Sequence, residues 1–208
     1  MKRLNTAYGR YYLGLALILV GYFLPWLPNP AAGLSFIGLE IGEWVKFVPQ
    51  VQMGEITPGR DLFYLPPITT GLILALLTAG WPNRRWQTWA MRGLAILVSL
   101  LAFPSLDAIR FEPASEWQAR LLLVGLVMLV ALLSSVLGTP GRGRRLIPYL
   151  ITLVALLGAS LPTWTFLAML PAIRTLLGPV AAGPGLWLNL AGHLWIAGLA
   201  LAHSRPPR

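Results

Sequence analysis

The chain has no cysteine, so disulfides, thiolate metal sites and cysteine nucleophiles are excluded. Acidic residues are nearly as scarce: Asp and Glu together number seven in 208 residues, and charged residues make up 11% of the whole. A soluble domain carries roughly 25% charged side chains. Charge this sparse cannot coat a water-facing globule, and lipid becomes the natural solvent. The chain also has no Gly-x-Ser-x-Gly, no phosphate-cradling glycine loop and no His-Glu-x-x-His, so the familiar hydrolase and nucleotide signatures are missing.

What is present is apolar and basic. Hydrophobic residues reach 56%, and the formal net charge is +9. The excess charge does not point to nucleic acid. The arginines flank apolar runs, and no DNA- or RNA-binding motif accompanies them.

A bilayer's hydrocarbon takes about 20 helical residues, with a range of about 17–25. Six runs fit, at about 11–27, 65–81, 91–109, 119–138, 146–162 and 186–203. None alternates with period two, which disfavours a barrel. The fold expected is an all-α membrane protein of one integral domain, with six transmembrane helices. The basic start Met1-Lys2-Arg3 and the apolar stretch 13–24 have the outline of a signal peptide, but Pro30 fits a small-residue cleavage site poorly. A retained first span is the expectation.

Charge sorts along the chain. With the amino terminus placed in the cytoplasm, inner segments hold eleven basic residues (Lys2, Arg3, Arg10, Arg84, Arg85, Arg92, Arg142, Arg144, Arg145, Arg205, Arg208) and no acidic ones. Outer segments hold five basic residues and all seven acids. The positive-inside bias predicts a plasma (inner) membrane protein with both termini cytoplasmic. Tyr8, Tyr11, Tyr12, Trp81, Trp86, Trp89 and Tyr149 would mark the inner interface, and Trp26, Tyr64, Trp117, Trp164 and Trp187 the outer one.

The longest loop, 28–66, carries Leu34, Ile37, Ile41, Trp44, Val45 and Val48 at helical spacing. This predicts an extracytoplasmic amphipathic helix over about 33–48, between the first and second spans. It would lie either on lipid or on the protein itself. Pro162 interrupts the fifth run, so that helix is expected either to kink there and continue or to end. Gly71, Ala75 and Ala79 recur every fourth residue and mark a helix-packing face. Asp107, Arg110, Glu112, Glu116 and Arg120 read as a solvated surface network.

The polar pair with most chemical interest is Asn189 and His193, four residues apart on one helical face that Ala197 and Ala200 continue. A membrane histidine can ligate a tetrapyrrole metal through a ring nitrogen. It can equally make a structural hydrogen bond between helices. His203, ten residues on, is too far to complete a bis-histidine site. No other cofactor is evident, and no metal site is indicated.

These residues leave three functions open. The first is a membrane component of a small-solute or lipid transport system. The second is a non-catalytic subunit of a larger membrane complex, redox or pigment-binding through His193. The third is a lipid-modifying membrane enzyme. The expected partners are the lipid bilayer and either other membrane subunits or an identical copy, with no nucleic acid.

Overall fold

The computed structural model describes residues 2–29, 33–57, 59–137 and 142–204. The chain is all-α apart from one short hairpin. Among the described residues four helical stretches are long and apolar enough to cross a membrane: Arg60–Leu77, Gln118–Val136, Arg145–Leu177 and Pro184–Ser204.

Helix α1 covers Lys2–Phe23. It stops short of the expected 27, because Leu24 precedes Pro25 and a pre-proline residue is pushed out of the helical region. The chain turns extended at once. Strand β1 (Pro25–Asn29) pairs antiparallel with β2 (Leu34–Ile37), with Leu27 opposite Phe36. The expected helix over 33–48 is therefore corrected. Its first residues, Leu34 to Ile37, go to the strand, and helix α2 is confined to Gly38–Trp44. Next come a 3-10 turn, Val45–Phe47, and a four-residue helix α3, Pro49–Gln52. Glu40 accepts a hydrogen bond from the Ile37 N–H at 3.2 Å, tying off a donor at the start of α2.

A 3-10 turn, Arg60–Tyr64, leads into α4 (Leu65–Leu77), which Pro66 and Pro67 open in the first turn where their missing N–H costs nothing. The helix ends before the expected 81, where Gly80 takes φ +84° ahead of Pro82. Helix α5 (Trp86–Ser99) closes in a 3-10 turn, Leu100–Ala102. Pro104 then breaks the run expected to reach 109, and Ser105 caps a separate short helix α6, Leu106–Phe111, by accepting the Ala108 N–H at 3.1 Å. Beyond the 3-10 turn Ala114–Glu116 comes α7, Gln118–Leu137.

Helix α8 runs unbroken from Arg142 to Leu177, 36 residues, through Pro148, Pro162 and Pro171. Of the two expectations for Pro162, the long helix is the one observed, with no end at 162. Helix α9 is Pro184–Ser204. The turn expected at 138–141 and the terminal Arg205 and Arg208 lie outside the described residues, as do the side chains of Lys2, Arg3, Leu34, Arg142 and Arg144.

The chain divides into two compact units. One comprises Met1–Pro66 with Leu157–Trp195, the other Pro67–Leu156 with Ile196–Arg208. The core of the first is aromatic. Trp26 meets Tyr22, Phe63 and Phe166 edge-on at 6.0–6.5 Å between ring centres, and Ile41, Val45, Val48, Met169 and Ile173 close around them. Trp26 and Tyr64, expected in an interfacial belt, are buried instead. Ile41 and Val48, expected on an interfacial helix, pack into this core, while Ile37 and Trp44 are half-buried, Trp44 against Phe36 at 4.6 Å. The loop thus folds on the protein's own apolar residues.

Helices α1 and α9 meet in this unit at backbone distance. A Cβ on Gly21 would collide with the Asn189 backbone, one on Gly185 would lie 2.7 Å from the Gly21 carbonyl, and one on Gly192 2.8 Å from the Gly14 carbonyl. Gly14 and Gly21, like Gly185 and Gly192, are seven residues apart, two helical turns, so each pair repeats on one face. In the other unit Gly71 plays a similar part. A Cβ there would sit 2.7 Å from the Ala95 carbonyl and 3.0 Å from Val127. Ala75 is fully buried beside it, whereas Ala79 falls past the end of α4, in the turn where its N–H bonds the Leu76 carbonyl.

Gly185→Ala is expected to lower thermal stability in detergent by about 1–3 kcal/mol, the usual cost of overpacking. Gly125→Ala, where nothing lies within 4 Å, is expected to hold or raise it. Paired melting curves check this, and equal midpoints for the two variants would contradict the close approach.

Candidate functional site

Most of the interior is hydrocarbon, so the polar atoms inside it stand out. In the first unit several sit on α8 and α9. Asn189 and His193 are both fully buried, one turn apart on α9. The Asn189 Nδ2 donates to the Ile18 carbonyl on α1 at 3.1 Å, and its backbone carbonyl lies 3.0 Å from the His193 Nδ1. The amide therefore clasps the two helices beside their glycine contact. The two residues are brought together as the spacing implies, but with no exposed ring edge on His193. An axial-ligand role there would require neighbouring side chains to move aside. Ala197 and Ala200 continue the expected face but are themselves packed.

The buried polar atoms of this unit that lack a hydrogen-bond partner include the Asn189 Oδ1 on α9, the Thr163 Oγ1 on α8 and, away from these, the Gln50 Oε1 on α3. Thr163 comes directly after Pro162, which has no N–H to offer the carbonyl of Gly158 one turn back. Nearby Thr165 turns its hydroxyl onto the Leu161 carbonyl at 2.9 Å. The helix continues here, but its hydrogen-bond ladder lacks one donor. Partnerless buried groups are uncommon in proteins, and a bound water, ion or ligand is one standard account of them.

A second polar group lies where α2 meets the 3-10 turn before α4. Glu43 accepts from the Tyr64 hydroxyl at 2.7 Å, the Arg60 Nη2 at 3.0 Å and the Lys46 Nζ at 3.2 Å, while the Arg60 Nε donates to the Gly42 carbonyl at 3.1 Å. The carboxylate is nearly half exposed, so this group fastens a loop more than it stores energy.

The other unit holds a group that charge patterning misses. Arg92, counted among the basic residues of the inner segments, is only 2% exposed. Its Nε reaches the Thr78 Oγ1 at 3.4 Å and its Nη2 the Asn83 Oδ1 at 3.1 Å, with the Trp89 ring 5.0 Å from the guanidinium carbon. Thr78 in turn donates to the Ala75 carbonyl at 2.7 Å and stands 3.1 Å from the Ser134 hydroxyl. The signal in the sequence is Trp89 one helical turn before Arg92, with Thr78 and Asn83 upstream. Arg120, expected in a solvated network, is also buried, its Nη2 donating to the Glu116 carbonyl at 3.1 Å. Among the described residues no cluster of three or more His, Cys, Asp or Glu side chains could hold a metal ion.

Compared with known proteins, the chain matches no family model, no curated protein and no solved structure.

Asn189→Ala removes the clasp on Ile18. It is expected to lower stability by about 0.6–1.7 kcal/mol, the range for membrane hydrogen bonds. Unfolding in mixed detergent–SDS micelles measures this, and a loss below about 0.2 kcal/mol would show the bond to be idle.

Proposed function

We propose that the chain is a six-span inner-membrane protein with cytoplasmic termini, serving as a membrane component of a small-solute or lipid transport system. The observation that carries this reading is the set of partnerless acceptors inside an apolar unit, the Thr163 Oγ1 and the Asn189 Oδ1, on two of the helices long enough to span a membrane. A weakly polar solute or a lipid that carries a hydroxyl or amide donor would satisfy them without needing a buried carboxylate. Pro162 in the middle of α8 favours the same reading, since its missing N–H leaves a backbone carbonyl without the usual helical donor beside Thr163.

The two further spans in this reading come from α1 and from α5 with its 3-10 extension. Both are apolar over most of their length. Arginines at the chain ends and inner turns supply the sidedness. Because the chain has no cysteine, single-cysteine variants give clean labelling. Met53→Cys is expected to react with an impermeant maleimide from outside intact cells, and Trp86→Cys only after lysis. Both native side chains are well exposed. Equal reactivity at the two sites in sealed cells would refute the topology.

The transport reading itself is tested by purifying the protein in a mild detergent and analysing co-purified small molecules by mass spectrometry. The native chain should retain a solute or lipid that the double variant Thr163→Val, Asn189→Leu loses. A colourless preparation that retains nothing counts against it. A Soret or chlorophyll-type band that vanishes in His193→Ala would transfer the function to a pigment-bearing subunit.

A further inference from the structure

Arg92 of α5, whose side chain reaches back to the turn that joins α4 to α5, is a cation with no anion beside it among the described residues. A guanidinium has five N–H donors. That of Arg92 uses one at 3.4 Å on a hydroxyl and one at 3.1 Å on an amide carbonyl. Among the described residues no carboxylate forms an ion pair with it, and the sequence has no Asp or Glu between Asp61 and Asp107. Buried charges in proteins are ordinarily paired, because taking an ion from water unpaired costs several kcal/mol. The surroundings add positive potential. Arg84 and Arg85 are exposed on the same turn, and Arg85, at the N-cap of α5, offers no side-chain cap. The first N–H groups of a 14-residue helix therefore face this turn with their partial positive charge.

The position is as telling as the charge. Trp86 is 73% exposed and Trp89 half exposed, flanking the turn with indoles. Indoles of this kind settle at headgroup depth, where lipid phosphates lie. Trp89 also pins the turn, its Nε1 donating to the Asn83 carbonyl at 2.8 Å while its ring covers Arg92. Asn83 itself is exposed, and its side-chain oxygen occupies the Nη2 position that an oxyanion would take in a two-pronged contact.

We infer that Arg92, with Arg84, Arg85 and the amino end of α5, forms a binding site for a phosphate oxyanion, the Asn83 side chain standing in for it when the site is empty. The phosphate belongs either to an anionic lipid headgroup or to a free phosphate. The site lies apart from Thr163 and Asn189 in the chain and does not depend on the transport reading.

The test uses full-length protein, delipidated in a mild detergent and titrated with phosphatidylglycerol by native mass spectrometry. Parallel melting curves are taken in inorganic phosphate. The native chain should hold one tightly bound phosphatidylglycerol or a phosphate-dependent rise in midpoint. Arg92→Gln should weaken that binding at least tenfold. Asn83→Asp gives Arg92 an internal carboxylate at an exposed, near-isosteric position, so it should raise the basal midpoint and abolish the same binding. A response to lipid alone identifies a headgroup site, and a response to inorganic phosphate identifies a free-phosphate site. Should Arg92→Gln fail to fold, Asn83→Asp decides. If that variant, monodisperse on gel filtration, binds both probes as the native chain does, the site is overturned.

Discussion

Helices α1 and α9, more than 160 residues apart in sequence, touch through backbone at Gly21 and Gly185 and again at Gly14 and Gly192. In lipid there is no hydrophobic drive to bring helices together, since the tails are as apolar as leucine. Close packing and hydrogen bonding must supply the attraction. Glycine supplies the first and the Asn189 amide on the Ile18 carbonyl the second. The same contact positions the hairpin and the aromatic core. Gly185 lies against the end of α1, and Gly183, just before α9, donates its N–H to the Trp26 carbonyl at 2.7 Å. Trp26 is the centre of the aromatic core, so the strand pair and the short helices after it assemble on a residue held by the glycine contact.

Polar groups in the two units obey one rule with different outcomes. Each serine and threonine with a carbonyl one turn behind it can bond back to that carbonyl, as Thr152, Thr165 and Ser99 do. That local solution costs nothing in long-range order. The exceptions are the informative ones. Thr70, Thr163 and Asn189 keep an atom with no partner, and Arg92 bonds only neutral oxygens. Such groups are expensive in an apolar medium, which is why they bear on function more than the exposed arginines do.

Long apolar runs were legible from composition. Helices α7 and α9 fall within two residues of the expected 119–138 and 186–203, because nothing inside those runs opposes a helix. The misses share a cause. Pro25 and Pro104 lie inside apolar runs, where hydropathy counts them as neutral although they end the helix. Pro162 has the same chemistry and does not end its helix, since the chain on both sides is packed as helix. The segment 34–37 has a helical apolar pattern, yet its backbone pairs with 25–29, a contact that no periodicity reveals. Of the candidate site, the Asn189–His193 pairing was visible as a spacing of four. The burial of Arg92 was not, because it depends on Thr78 and Ser134, which lie 14 and 42 residues away.

The membrane-length stretch of α8, Arg145–Leu177, has 33 residues, about 50 Å at 1.5 Å per residue, while the hydrocarbon slab is about 30 Å thick. A rod with that surplus can meet a thicker or thinner bilayer by changing its tilt. The stretch Arg60–Leu77, at 18 residues, has no such margin. Mismatch strain therefore falls on the short element, and a thickening membrane would stretch its cover there first. Of the four membrane-length helices among the described residues, this one, buried over most of its length, has the least length to spare.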